Sequence, residues 1–275
     1  MKNILFIDSD GGWGGAPKSL LTLVRYLDPN AFRPVLLIGM PGPVIEEYNK
    51  KGISVFVQPL SRFVYHRNNR GSILKKLIMM VLMGPKVIIN LRKIVKLEGV
   101  DLVHINSVVI LPTALLFKMF FRLPVIFHVR EMLLKNVIGK IQNKLIYVSG
   151  DKIVVPSENE ARQFAKQKEC DKILVRYNPV DIREFQFSSV ERERIRRELK
   201  VDQEAIIIST IGAIVPGKGQ DRIIEIVRGI KKTYDGKIKF FIVGKIDIPE
   251  EKGRLKKLLR FVWGENKLQK FQLEL

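Results

Sequence analysis

The sequence holds one cysteine, Cys170, and three histidines. A lone thiol has no partner within the chain for a disulfide, and no Cys/His cluster carries zinc-ligand spacing. A reducing cytoplasm without a structural metal is the setting this predicts. The N-terminal apolar run, Ile4–Ile7, is too short for a signal-peptide core and precedes no small-residue cleavage pattern. No apolar stretch approaches the roughly 20 residues that cross a bilayer. Acidic residues are few, 28 Asp and Glu against 48 Lys and Arg, for a formal charge of +20. Such an excess attracts polyanions: phosphorylated metabolites, an anionic membrane face or nucleic acid. Nucleic acid is set aside as a partner, because zinc-finger spacing, basic-zipper heptads and aromatic RNA-binding signatures are all missing.

What is present is a regular alternation of apolar strands with helix-length amphipathic segments, which predicts an α/β fold with parallel sheets covered by helices. The strands read as Asn3–Asp8, Arg33–Gly39, Ile53–Pro59, Asp101–Asn106, Val125–Val129, Lys152–Pro156 and Ile173–Tyr177. The first helix begins near Pro17, and Leu111–Phe121 reads as a buried helix. After a charged helix, Val190–Lys200, the pattern restarts with a strand over Ala205–Ile214, a helix from Asp221 to about Tyr234 and a strand over Ile238–Val243. Two Rossmann-like domains follow, residues 1–185 and 186–275, the second incomplete. The last stretch, "RFVWGENKLQKFQLEL", has room for one amphipathic helix at most.

Ser72–Lys96 is apolar and basic together and is interrupted at Gly84-Pro85. A core-packed helix pair is one reading. A helix lying on anionic lipid is the other, with Arg67, Arg70, Lys75, Lys76, Arg92, Lys93 and Lys96 supplying the charge.

In open parallel sheets, ligands bind at the carboxyl ends of strands. Five loops there stand out. "DGGWGGAPKS" follows the first strand, and its glycines, Gly14 and Gly15 among them, let backbone N–H groups approach a phosphate at a helix N-terminus. Its spacing is neither the dinucleotide fingerprint nor a P-loop, and no ribose-binding carboxylate lies about 20 residues further on, which argues against NAD. "FHVRE" places His128, Arg130 and Glu131 at the end of the fifth strand, where His donates to a sugar hydroxyl or acts as base and Arg clamps an anion. "VPSENEAR" reads as a structural capping box of Ser157 and Glu160. "RYNPVD" reads as a hinge. "IGAIVPGKGQD" sets Gly212 at a strand end, with Lys218 and Gly219 just before a helix N-terminus, well placed for a diphosphate.

These five stretches, in this order, resemble the GT4 family of retaining glycosyltransferases, which has the GT-B fold. The matching residues are Gly14-Gly15-Ala16, His128-Val129-Arg130-Glu131, Val155-Pro156-Ser157-Glu158, Tyr177-Asn178-Pro179-Val180-Asp181 and Ile211-Gly212-Ala213 with Lys218-Gly219-Gln220-Asp221. The resemblance runs from Met1 to about Gly244. It implies transfer of a sugar from a nucleotide diphosphate sugar to a glycan or lipid-linked acceptor, with retention and with neither metal nor cofactor. By the same resemblance the glycine loop approaches the sugar and phosphates, His128 bonds the sugar and Lys218 neutralises the leaving diphosphate. Cell-envelope polysaccharide synthesis, in the cytoplasm or peripherally at the inner face of its membrane, is the implied setting. Three departures stand out. Ala213 replaces an arginine, Pro179 replaces a glycine, and no E-x7-E pair follows Lys218, so the chain reads as C-terminally truncated. The alternative is a truncated pseudoenzyme or a peripheral membrane-binding module.

Overall fold

A computed structural model describes residues 1–60, 72–165, 170–214, 218–244 and 270–273. They divide into two units, Met1–Glu184 and Phe185–Leu275.

The first strand, Lys2–Asp8 (β1), is buried at every position from Ile4 to Asp8. Burial on both faces demands consecutive apolar residues rather than alternating ones, and Ile4-Leu5-Phe6-Ile7 supplies them. After β1 come Gly15–Arg25 (α1), Phe32–Ile38 (β2), Val44–Asn49 (α2), Ser54–Val57 (β3), Ser72–Glu98 (α3), Leu102–Ile105 (β4) and Leu111–Phe120 (α4). Val125–His128 (β5), Val137–Ser149 (α5), Lys152–Val155 (β6), Glu158–Arg162 (α6) and Ile173–Val175 (β7) complete the unit. All seven strands lie parallel in the order β3-β2-β1-β4-β5-β6-β7. Successive strands run to one side of β1 and then to the other, so the chain reverses direction between β1 and β4. Loops leaving the two carboxyl ends diverge there, which is where ligands bind in open α/β sheets.

Alternation along β1 divides the core in two. Leu5 and Ile7 join Leu91 of α3, Phe117 of α4 and Ile146 of α5 on one face. Ile4 and Phe6 join Leu20, Leu21 and Val24 of α1 and Tyr48 of α2 on the other. Each fully buried Leu, Ile or Phe contributes about 1.5–3 kcal/mol.

The segment read as a helix pair is one helix, α3, with Pro85 inside it. Proline there gives up one backbone bond, but Val87, Leu91 and Ile94 follow at helical spacing and are buried in the core, which holds the later turns in line. Lys86, Arg92, Lys93 and Lys96 face solvent on the opposite side. This half buries Val87, Leu91 and Ile94 on the sheet but leaves Ile89 and Leu97 exposed among those cations. Arg67 and Arg70 lie outside the described residues, as do the side chains of Lys75 and Lys76. Among the described residues no helix is long and apolar enough to cross a membrane.

The second unit holds Ser189–Glu198 (α7), Ile206–Ile211 (β8), Gln220–Lys231 (α8), Ile238–Val243 (β9) and Lys270–Leu273 (β10). Arg196 of α7 is buried and donates to the carbonyls of Asp202, Gln203 and Ala205 at 2.7–3.0 Å, tying the charged helix to the start of β8. β8 and β9 pair in parallel, as the restart of the pattern predicts. The final stretch, read as holding one amphipathic helix at most, contributes a strand, for residues 270–273 pair antiparallel to β9. Antiparallel pairing needs no crossover helix, so a four-residue segment at a sheet edge suffices, and nothing so short has a legible period. Residues 260–269 of that stretch lie outside the described residues.

Candidate functional site

Asp8 ends β1, Asn106 follows β4, and His128 ends β5, so three adjacent strands deliver polar side chains to one edge. All three are buried. Asn106 Nδ2 donates to Asp8 Oδ2 at 2.6 Å, and Asn106 Oδ1 accepts from Arg130 Nε at 3.0 Å. Arg130 Nη1 donates to Ser19 Oγ of α1 at 2.9 Å and to Asn178 Oδ1. Its Nη2 lies 3.4 Å from His128 Nδ1. Four of the five guanidinium N–H groups are thereby committed within the unit. Arg130 is a hub that fixes other side chains.

Its contact with His128 also fixes a tautomer. Arginine only donates, so Nδ1 must accept and the ring proton sits on Nε2. That Nε2 is shielded and has no partner among the described residues. Burial, then the Arg130 charge, then His104 push the His128 pKa down to about 2. At neutral pH the ring is an uncharged donor. His104, whose ring centroid is 5.4 Å from that of His128, is held down to about 3 by burial and then by Arg130. Asp8 moves the other way: burial raises it to about 6 against the lowering bonds from Asn106 and the Ser9 amide. Glu131 is also raised by burial. One of its oxygens accepts from Ser107 Oγ at 3.4 Å and the other, buried, has no donor among the described residues.

The glycine-rich turn between β1 and α1 splits into two functions. Gly11 packs on the loop after β2: its N–H donates to Met40 O at 2.9 Å, and its carbonyl accepts from Val44 N at 3.0 Å. A Cβ on Gly42 would sit 2.3 Å from Gly11 O, so these two loops touch backbone to backbone. Gly14 and Gly15 differ. A Cβ on Gly15 meets nothing within 4 Å, and one on Gly14 meets only Pro17 Cδ at 3.5 Å. Neither is required by packing, and both are exposed at the N-terminus of α1. Gly42→Ala is expected to cost about 1–3 kcal/mol by overpacking, read as a lowered urea midpoint. Gly15→Ala, at the first helical position, should leave that midpoint level or raise it by up to ~1 kcal/mol.

Gly212, Lys218 and Gly219 belong to the second unit. Gly212 closes β8 and its N–H donates to Val243 O at 2.9 Å. Gly219 is the N-cap of α8 with φ +79°, a left-handed backbone that favours glycine. Lys218 stands exposed directly before it. Residues 215–217 of the "VPGKGQ" loop lie outside the described residues.

Two readings of loops are refined. Ser157 caps α6 through the Glu160 N–H and also bonds the Glu160 carboxylate, a structural role. The stretch read as a hinge is fastened to α1: Asn178 to Ser19 at 3.2 Å, Asp181 to Tyr26, and Glu184 to Arg25 at 2.6 Å. Sequence reasoning missed Asp8, Ser19, Asn106 and Asn178 as members of the cluster. Asp8 and Asn106 carried a usable signal, each being the first polar residue after a buried apolar strand. Ser19 carried none, because its partners lie more than 100 residues away. Among the described residues no group of three or more His, Cys, Asp or Glu could hold a metal ion.

HepE from Anabaena, solved in complex with UDP and glucose, matches with a TM-score of 0.71 at 18% identity, over 95% of this chain and 65% of its own. A glycosyltransferase from Rickettsia africae matches with a TM-score of 0.65 at 18% identity, over 95% of this chain and 64% of its own. A UDP-GlcNAc 2-epimerase from Neisseria meningitidis, bound to UDP-GlcNAc, gives 0.55 at 14% identity over 98% and 73%. This chain thus spans just under two thirds of the length of the first two. No curated sequence matches it. At these identities the likeness is one of fold, and with the switch point beside β1 it places the protein in the GT-B class of α/β proteins. The profile of Glycosyltransferase Family 4 matches residues 13–184, more than half of the chain, and the protein belongs to that family.

Proposed function

We propose that the protein transfers a sugar from a nucleotide diphosphate sugar to a glycan or lipid-linked acceptor, with retention of anomeric configuration. The observation that carries this reading is the locked His128, whose Nε2–H has no partner among the described residues and lies at the same carboxyl edge of the sheet from which the Gly14-Gly15 turn leaves β1, in a chain of this family. An uncharged imidazole bonds a sugar hydroxyl without repelling an oxocarbenium-like centre. Nε2 is shielded, so contact requires the ring or its cover to shift as the sugar arrives. The unpaired Glu131 oxygen is a matching acceptor for a second hydroxyl. Arg130, Asn106 and Asp8 are positioning residues that hold His128 and the α1 N-terminus in register.

In the second unit, Lys218 and the first-turn N–H groups of α8 supply positive charge for the departing diphosphate. Charge grows on that phosphate as the glycosidic bond breaks, so donors fixed in advance lower the barrier. Neither a metal nor a cofactor is invoked. Cell-envelope polysaccharide synthesis at the cytoplasmic face of the membrane is the proposed setting.

Transfer of label from radiolabelled nucleotide sugars to glycan or lipid acceptors tests the activity, and the anomeric proton coupling of the product tests retention. No transfer from any nucleotide sugar would sink the reading. Gly15→Ala is expected to cut transfer at least tenfold, about 1.4 kcal/mol, while its urea midpoint holds. Unchanged transfer would leave Gly15 without the ligand role given to it.

A further inference from the structure

From Met132 to Gly150 the sequence contains no acidic residue. Within it α5 buries Gln142, Ile146 and Ser149 against the unit. The opposite face presents Val137, Lys140, Ile141, Lys144 and Val148, all exposed and spaced as one helical stripe. Val137 is 70% exposed, Ile141 54% and Val148 54%. β-Branched residues help neither a helix nor a solvated surface, so three along one outward stripe call for a partner.

The loop before α5 extends the same surface. Met132 and Leu134 are each 45% exposed, and Lys135 is exposed beside them. A Cβ on Gly139 would fall 1.7 Å from Leu134 O, so the loop backbone lies directly on the first turn of α5. Loop and helix form one continuous patch. None of Lys135, Lys140 and Lys144 enters an ion pair among the described residues. Apolar side chains set among unpaired amines, with no carboxylate in the stretch, complement the anionic headgroups and acyl boundary of a bilayer. Since α5 follows β5, its first turn lies at the same carboxyl edge as His128.

We propose that the 132–136 loop and the outward face of α5 dock the protein on an anionic membrane, with Met132, Leu134, Val137 and Ile141 entering the interface and the three lysines contacting lipid phosphates. This deepens the transferase reading, on which it rests for its role, by making the acceptor membrane-resident and bringing the sheet edge to it.

Flotation of the full chain with vesicles tests it. Binding is expected to phosphatidylcholine mixed with phosphatidylglycerol, weakened by salt, and not to phosphatidylcholine alone. The triple Lys135→Glu, Lys140→Glu, Lys144→Glu and the double Val137→Ser, Ile141→Ser are each expected to weaken binding at least tenfold. A charge-matched triple on α3, Arg92→Glu, Lys93→Glu, Lys96→Glu, should retain most of it. All these positions are exposed, and unchanged thermal melting confirms folding. Equal loss from the two triples, indifference of the wild type to lipid, or a change of oligomeric state in the serine double without vesicle binding would overturn the proposal. A protein that floats as described but transfers no label would fail the transferase reading alone.

Discussion

Replacing Arg130 with alanine is expected to lower kcat/KM for sugar transfer at least about a hundredfold, some 2.7 kcal/mol of transition-state stabilisation. The side chain joins four elements: Asn106 after β4, Ser19 in α1, Asn178 after β7 and His128 at the end of β5. Its removal strands the Asn106 carbonyl, leaves the Asn178 carbonyl with Ser19 alone and frees the His128 ring from its tautomer. A folding cost of about 2–3 kcal/mol accompanies the loss of several charge-assisted bonds, read by urea denaturation. Arg130→Lys should rescue little, because one ammonium cannot reproduce a planar fork that reaches partners in several directions. The diagnostic readout is the His128 pKa by NMR. Arg130 is the second cause of its depression after burial, so the value should rise in the alanine variant. A folded Arg130→Ala protein with full activity and an unmoved His128 would refute the positioning role.

The second large effect is acid sensitivity. His104 and His128 titrate at about 3 and about 2 in the folded chain, against roughly 6.5 unfolded. Below that value the unfolded state binds protons that the native state refuses. The stability from two neutral buried rings is therefore full above pH ~6.5 and is lost as the pH falls. Asp8 opposes this: raised to about 6 from 3.8, it takes up a proton in the folded state first and so adds stability on acidification below pH 6. Glu131, also raised by burial, acts in the same sense as Asp8, so two histidines against two carboxyls leave a net loss on the order of 2 kcal/mol between pH 7 and pH 5. His104→Phe should flatten that slope by about one proton while keeping the stability at pH 7, since His104 already packs as an aromatic 5.1 Å from Phe6. Urea midpoints at the two pH values measure both. An unchanged slope in the variant would exclude His104 as a source.

The elements legible in the sequence are those whose signal is local. The run Ile4–Ile7, the restart at Ala205 and the helix near Pro17 announce themselves through apolar patterning and turn residues, and β9 spans Ile238–Val243 as read. His128, Arg130 and Glu131 were legible as a polar cluster because they stand at the end of a buried apolar strand. β10 was not, because four residues at a sheet edge carry no period. Nor was the continuity of α3 through Pro85, which depends on Val87, Leu91 and Ile94 meeting the core.

Sequence by itself determined that this is a basic α/β chain of two units, with a glycine turn after its first strand and a lysine-glycine turn in its second. Each of these follows from neighbouring residues: strand burial, helix period and the backbone freedom of glycine. Only the tertiary structure decided what those residues do. It assigned Gly11 and Gly42 to packing and left Gly14 and Gly15 free of it, and it turned Arg130 from an anion clamp into the hub that sets the His128 tautomer. The reason is that a side chain's partner, and hence its proton, is set by strand order, which brings Asp8, Asn106 and His128 together across some 120 residues of chain.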